Sequence, residues 1–170
     1  VGLGAMGVVT RISLDLQPTF KVAQHVYQDL PVESLKENFK AIMSAGYSVS
    51  LFTDWLNGMV SQVWIKQRVD QVSVTPGDDF YGAHLATRNL HPIVALSAEN
   101  CTEQLGVAGP WYERLPHFKM GFTPSSGEEL QAEFFVPFES GLDALLALEK
   151  KKEIIYPQLM ISEIRTVAGG

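Results

Sequence analysis

The chain has 170 residues, the length of one domain or a large part of one, and its 46% hydrophobic and 19% charged residues are typical of a folded globular protein. Its 13 basic and 19 acidic residues give a net charge of −6, which argues against binding to nucleic acid through phosphate contacts. No apolar run reaches the roughly 20 residues of a membrane-spanning helix, and the single cysteine, Cys101, allows no intrachain disulfide. We therefore expect a cytoplasmic protein that binds neither nucleic acid nor a membrane.

The first part of the chain predicts several strands around one helix. Alternation of apolar and polar residues predicts a strand over residues 7–16, and a run rich in valine and aromatic residues predicts another over residues 20–29. A helix should begin at Pro31, and Gly46 should end it. Two further strands follow, over residues 47–53 and 60–69.

The middle of the chain lacks a regular pattern. Residues 71–82 form a loop by composition, and residues 90–118 show no clean period and contain three prolines. A long irregular stretch of this kind is typically functional or packed against a neighbour. We expect residues 90–118 to pack on another domain or on a second copy of the chain.

The last part of the chain returns to regular patterns. Alternating apolar side chains predict a strand over residues 130–138, a helix capped at Glu139-Ser140 extends to Pro157, and a final strand covers residues 158–167. The order of elements predicts an α+β fold, in which an antiparallel sheet is flanked by helices on one face. Because both ends of the chain fall in structured-looking sequence, we also expect a fragment of a longer protein.

The sequence contains little evidence for the common cofactor-binding and metal-binding motifs. The cluster Gly2-x-Gly4-x-x-Gly7 has the spacing of a dinucleotide-binding loop, but it precedes a strand rather than a helix. We interpret it as a glycine turn that is either structural or passes close to a ligand. The four histidines lack metal-ligand spacing, and Cys101 is interpreted as a buried inert thiol, so no metal site is predicted.

The last predicted strand carries the most informative pair of charges. Glu163 and Arg165 are two residues apart, so an extended backbone points both side chains to one face. The remaining members of that face are apolar: Leu159, Ile161 and Val167. Charges on an apolar face need partners, because burying an unpaired charge is costly. Two interpretations stay open, a structural ion pair across the sheet or a polar floor that holds a hydroxylated substrate.

Longer motifs resemble one group of flavoproteins. The stretch Gly4-Ala5-Met6-Gly7-Val8-Val9-Thr10 is similar to the segment that closes the FAD-binding domain in flavoproteins of the vanillyl-alcohol-oxidase type. More specific motifs resemble the bacterial alditol oxidases, also called xylitol oxidases, which are related to the aldonolactone oxidases. These motifs are Tyr47-Ser48-Val49-Ser50-Leu51-Phe52-Thr53-Asp54-Trp55, Asn100-Cys101-Thr102-Glu103-Gln104, Gly109-Pro110-Trp111 to Arg114-Leu115-Pro116-His117-Phe118, and Glu163-Ile164-Arg165-Thr166-Val167.

The resemblance implies a domain arrangement and a set of site residues. It implies that residues 1–18 end the FAD-binding domain and that residues 19–170 form the cap domain over the flavin, truncated at the C-terminus. It also implies that Glu163 and Arg165 belong to the catalytic site, where they bind and orient the terminal hydroxyl groups of a polyol. The residues that it implies as cofactor-binding are Gly4, Gly7, Val8 and Val9.

The reaction implied by the resemblance is oxidation of an alditol to an aldose, with O2 reduced to hydrogen peroxide. Two alternatives stay open: an aldonolactone oxidase with the same cap, and a non-catalytic carbohydrate-binding or assembly module. Most FAD contacts of the resembled family would lie outside this chain. We therefore expect the isolated chain to bind no flavin, to have no oxidase activity, and to be able to self-associate through an exposed domain interface.

Overall fold

An antiparallel sheet forms the centre of the molecule in this computed structural model, which describes residues 4–71, 77–124 and 129–168. The strands are β1 (Lys21–Pro31), β2 (Ser48–Thr53), β3 (Met59–Arg68), β4 (Asp79–Phe80), β5 (Ala83–Leu85), β6 (Gly109–Pro110) and β7 (Ser162–Arg165). They lie in the order β4-β5-β1-β3-β2-β7, with β6 paired to β1, and each of these pairs is antiparallel. The predicted α+β class with an antiparallel sheet is confirmed.

The helices in the described ranges are α1 (Val32–Met43), α2 (Trp111–Arg114), α3 (Gly141–Glu149) and α4 (Lys152–Ile155). α1 and α3 pack on one face of the sheet, whereas α2 lies within residues 86–118 and contacts β1 and β6. Helix α1 follows Pro31 directly and buries Leu35, Ile42 and Met43 against the sheet. No helix among the described residues is both long enough and apolar enough to cross a bilayer.

Different parts of the chain cover the two faces of the sheet. On the face beneath α1, side chains such as Leu51 and Val63 form one buried cluster, and Leu142 of α3 packs against it. On the opposite face, Phe52 and Trp64 form a second cluster with residues of the irregular stretch 86–118. This stretch therefore packs on the sheet of its own chain through one side, while other apolar side chains on it, such as Val94 and Trp111, are exposed. Packing of its exposed side on another domain or on a second copy stays a prediction. The stretch covers this face because β2 and β3 are buried on both faces, and α1 can cover one face only.

Hydrogen bonds fasten the irregular stretch to itself and to the sheet. The Gln104 amide is fully buried, accepts from the Leu90 backbone N–H at 2.9 Å and donates to the Leu90 carbonyl at 2.7 Å. Gln62 of β3 donates to the His91 carbonyl at 2.8 Å. The Thr102 hydroxyl donates to the Pro116 carbonyl at 2.7 Å. Irregular backbone can lie over a buried face because these side chains pair its polar groups.

Two predicted strands are wrong. Residues 7–16 and 130–138 contain no strand, and their alternating side chains are exposed, with Leu16 96% and Phe134 88% accessible. Alternation makes one face of a strand apolar, but a strand also requires a neighbour that pairs with its backbone. Within the described residues, neither segment lies beside such a neighbour.

Other boundaries differ from the prediction in smaller ways. Part of the predicted loop 71–82 forms the hairpin of β4 and β5, whereas residues 72–76 lie outside the described residues. The predicted single helix up to Pro157 is divided into α3 and α4, and Ile154 is 72% exposed rather than on the packed side. The last strand is short, since β7 covers Ser162–Arg165 of the predicted residues 158–167.

The role of Gly46 is also different from the predicted one. Helix α1 ends at Met43, and the backbone N–H of Ser44 bonds to the Lys40 carbonyl, so Gly46 does not cap the helix. A Cβ at Gly46 would lie 2.8 Å from the Lys66 carbonyl oxygen. Glycine is required there because the chain passes close to β3, not because the helix stops.

Candidate functional site

The predicted pair on the last strand lies at the edge of the sheet. β7 pairs with β2, and the register places Glu163 opposite Phe52 and Arg165 opposite Ser50. Ile164, between them, packs into the cluster beneath α1. Alternation along the strand therefore places Glu163 and Arg165 on the other face, which is the face that residues 86–118 cover.

The Glu163 carboxylate is held by two donors from different parts of the fold. Its Oε1 accepts from the Ser50 hydroxyl of β2 at 2.8 Å and lies 2.9 Å from Nε2 of His117, in the irregular stretch. The Glu163 side chain is 27% exposed and the His117 side chain 19% exposed. Oε2 of Glu163 accepts no hydrogen bond from the residues that the structure describes, so one carboxylate oxygen is fixed and the other is available.

Lys66 of β3 completes the network behind His117. This lysine is 1% exposed, and its Nζ lies 3.0 Å from His117 Nδ1 and donates to the Leu115 carbonyl. Lys66 lies on the same face as Trp64 because the two are separated by one residue of an extended strand. The edge of the His117 ring packs against Phe52 and Trp64, at centroid distances of 5.4 and 5.3 Å. These aromatic rings keep water from the imidazole.

Burial and hydrogen bonding shift the pKa values of all three groups. Burial lowers the pKa of Lys66 to about 7, although the Glu163 carboxylate opposes that shift. Burial also lowers the pKa of His117 below its ordinary value of 6.5, and its hydrogen bond to Glu163 acts in the opposite direction. Burial alone would raise the pKa of Glu163, but the hydrogen bonds from His117 and Ser50 and the charge of Arg165 outweigh burial and lower it to about 2. At neutral pH the network therefore contains an ionised carboxylate and a neutral imidazole.

Arg165 takes a different partner from Glu163. Its guanidinium donates to Glu133 Oε1 at 3.0 Å, in a pair whose side chains are 52% and 55% exposed. Arg165 also lines an open depression of about 530 Å³. The other residues of this depression are Ser48, Glu133, Phe135, Thr166, Val167 and Ala168. The guanidinium is thus accessible from solvent and borders a space that a small polar molecule can enter.

The predicted cofactor-binding residues do not form a closed site. Gly4 and Gly7 have φ angles of 75° and 97°, and a Cβ at either position would meet nothing within 4 Å. Val8 and Val9 are 91% and 74% exposed, and Gly2 lies outside the described residues. The described residues alone therefore do not make a flavin site. They also contain no group of three or more His, Cys, Asp or Glu side chains that could hold a metal ion.

Sequence reasoning found the carboxylate of this network but missed its partners Ser50, Lys66 and His117. His117 lacks metal-ligand spacing and belongs to a motif that resembles the alditol oxidases, but nothing local in the sequence relates it to a strand 46 residues later. A signal for Lys66 did exist, because it is a charged residue that directly follows the apolar run Val63-Trp64-Ile65 within a predicted strand. A lysine in that environment requires a buried acceptor.

The fold and this network define the class of protein: an α+β domain that holds an ionised carboxylate at the edge of its sheet. The chain is 51% identical over 166 residues to the alditol oxidase of Streptomyces sp. (strain IKD472 / FERM P-14339). The match covers 98% of this chain and 39% of the length of that relative. No protein-family model matches the chain. The chain is thus similar to part of an alditol oxidase, and the resemblance predicted from its motifs is confirmed.

Proposed function

We propose that the chain is the substrate-contacting part of an FAD-dependent oxidase that converts alditols such as xylitol and sorbitol to aldoses. The similarity to alditol oxidase over 98% of the chain supports this function. Since the chain spans 39% of that relative, the activity belongs in the proposal to a longer protein. Residues 1–18 would end its FAD-binding domain and residues 19–170 would belong to its cap domain. A cytoplasmic location remains a prediction.

The main observation in support of the proposal is that only one oxygen of the Glu163 carboxylate is hydrogen-bonded within the described residues. Ser50 and His117 hold Oε1 and thereby fix the side chain, while Oε2 stays available as an acceptor. Arg165, two residues along the same face, presents a planar fork of N–H donors. A polyol offers hydroxyl groups on neighbouring carbons, each of which both donates and accepts. An acceptor beside a donor on one strand suits that pattern.

The proposed reaction removes two electrons and two protons from a terminal CH–OH group to give an aldehyde. FAD supplies the redox chemistry when bound and O2 takes the electrons to form hydrogen peroxide. The residues of this chain bind and orient the substrate: Arg165 donates to hydroxyl oxygens, and Glu163 accepts hydroxyl hydrogens. The flavin would be held mainly by parts of the longer protein, because residues 4–9 are exposed and do not enclose a ligand.

Replacing Arg165 by alanine in the full-length protein tests the proposal. The loss of one charge-assisted hydrogen bond is worth about 1.5–3 kcal/mol, so kcat/KM for xylitol should fall roughly ten- to hundredfold. Flavin content and Tm should stay unchanged, because the pair of Arg165 with Glu133 is exposed. Arg88→Ala removes another exposed arginine and serves as the matched control, with unchanged kinetics expected.

The outcomes separate the open alternatives. Unchanged kcat/KM in Arg165→Ala contradicts the assignment of substrate contact. A lower Tm with near-normal kinetics identifies a structural ion pair instead. Turnover of aldonolactones without turnover of alditols would favour the aldonolactone oxidase alternative, and sugar binding without turnover would favour a carbohydrate-binding module.

A further inference from the structure

Three titratable side chains from three separate segments form a continuous line behind the proposed substrate-contacting face. Lys66 Nζ is 3.0 Å from His117 Nδ1, and His117 Nε2 is 2.9 Å from Glu163 Oε1. β3 supplies the lysine, the irregular stretch supplies the histidine, and β7 supplies the carboxylate. Neither Lys66 nor His117 is required by the chemistry described above.

The donors and acceptors of the line have one consistent direction. Below its pKa of about 7 Lys66 is an ammonium group, which carries N–H donors and no acceptor, so it donates to His117 Nδ1. That nitrogen must then be unprotonated, and the proton of the neutral ring resides on Nε2. Nε2–H consequently donates to Glu163 Oε1, where the Ser50 hydroxyl also donates. The hydrogen bonds from Lys66 to His117 and from His117 to Glu163 are therefore both directed toward the carboxylate.

We propose that Lys66 and His117 are positioning residues for Glu163: the lysine selects the Nε2–H tautomer of His117, and this tautomer fixes the ionised carboxylate so that Oε2 faces the polyol. The effect of these residues on catalysis rests on the proposed function. The hydrogen bonds among Lys66, His117 and Glu163 do not depend on that function.

Burial and charge agree with this assignment. Lys66 is 1% exposed, so its ammonium group lies beside Trp64 with two acceptors, the Leu115 carbonyl and the His117 ring. The charged groups that act on His117 are Lys66, Arg165 and Glu163. Lys66 and Arg165 disfavour a cationic ring and Glu163 favours one, and with burial the balance keeps His117 neutral. A neutral imidazole is the form that the line requires.

The tautomer of His117 can be measured directly in the unaltered chain by long-range ¹H–¹⁵N NMR. We expect an unprotonated Nδ1 and a protonated Nε2 just below pH 7, where Lys66 is mainly an ammonium group and the imidazole is still neutral. An Nδ1–H tautomer overturns the proposal, because Lys66 could then not donate to that nitrogen. This measurement needs no variant and no flavin, so it remains decisive even if substitutions at His117 disturb folding.

The effect on Glu163 can be measured with two variants of His117. Phenylalanine keeps the ring contacts with Phe52 and Trp64 but removes both nitrogens, so His117→Phe should raise the pKa of Glu163 by about one unit or more in ¹³C NMR titrations. His117→Gln retains an N–H donor and should restore part of the lowering. His84→Asn is the matched control, because His84 is exposed and lies on β5, which β1, β3 and β2 separate from β7 in the sheet. An unchanged pKa in His117→Phe overturns the proposal.

Kinetics of the full-length protein complete the test. His117→Phe should lower kcat/KM for xylitol about tenfold or more without loss of flavin, and His117→Gln should recover part of that loss. Equal kinetics of His117→Phe and the unaltered protein overturn the positioning role. The proposed function fails separately, when Arg165→Ala leaves kcat/KM unchanged while the NMR data still show the line of hydrogen bonds.

Discussion

Lys66 shows how the fold accommodates a buried ionisable side chain in the central sheet. The side chain is held by the Leu115 carbonyl and the His117 ring, and Glu163 provides the opposite charge beyond that ring. Hydrogen bonds compensate only part of the loss of hydration, which is why burial lowers the lysine pKa to about 7.

This lowered pKa predicts a stability that rises with pH. The unfolded lysine keeps its proton up to its ordinary pKa of 10.5, whereas the folded one releases it near pH 7. Between these values the unfolded state binds more protons, so the free energy of unfolding should increase, by on the order of 4 kcal/mol across the window. Lys66→Met lacks this group and should show a flatter profile in denaturant titrations. Lys36→Met removes an exposed lysine of α1 and should run parallel to the unaltered chain.

At the residue scale, the sequence predicts positions of side chains along one strand better than it predicts their partners. The spacing of Glu163 and Arg165 suffices to place both on one face, because alternation is a local property of extended backbone. Their partners follow from how distant segments pack, and the two charges do in fact separate, Glu163 toward His117 and Arg165 toward Glu133. No local pattern in the sequence encodes that choice.

At the scale of elements, the Gln104 side chain substitutes for a strand neighbour. Its amide exchanges two hydrogen bonds with the backbone of Leu90, as a paired peptide group in an antiparallel sheet would. The site needs an acceptor for the Leu90 N–H and a donor for the Leu90 carbonyl, and at neutral pH the amide supplies both whereas an ionised carboxylate has no donor.

Gln104→Glu should therefore destabilise the fold in a pH-dependent way. An ionised carboxylate loses the donor and faces the Leu90 carbonyl in a fully buried site, which should cost at least about 2 kcal/mol of unfolding free energy at neutral pH. Burial raises the folded-state pKa of such a group, so the cost should shrink as pH falls toward the ordinary glutamate pKa of about 4.3. Denaturant titrations at several pH values provide the measurement. Glu103→Gln, a change at a neighbouring exposed position, serves as control, and equal stabilities of all three chains would contradict the prediction.

The elements that were predicted correctly are those whose pattern and neighbours agree. β1, β2, β3 and α1 combine the expected periodicity with a partner on at least one side. Residues 7–16 have the same alternation as β2 but no neighbouring strand in the described chain. Residues 90–118 show the opposite case, since they lack a periodic pattern but are packed on a sheet. Periodicity indicates which side chains of a segment share a face, whereas the burial of that face depends on the segments that pack against it.

At the scale of the whole molecule, the isolated chain should neither take up FAD nor oxidise alditols. Residues 4–9 are exposed, so a flavin would find contacts on one side only. Incubation with FAD followed by desalting and visible absorbance measures uptake, and peroxide release with xylitol measures activity. The full-length protein serves as the positive control. A yellow preparation of the chain that produces peroxide would contradict the prediction. Sedimentation of the same sample tests the expected self-association.

The way in which residues 86–118 are attached has a consequence for the lifetime of the site. β1, β2 and β3 are joined by continuous backbone ladders, whereas the stretch above them is attached by fewer bonds. These are the short pair of β6 with β1, isolated backbone bonds such as that from the Gly106 N–H to the Gln24 carbonyl, and side-chain bonds from Gln62 and Lys66 to the His91 and Leu115 carbonyls. We therefore expect this layer to open at a lower free energy than the ladders. His117 would separate from Glu163 in each opening, so the attachment of the layer would set the fraction of time for which the carboxylate is correctly oriented.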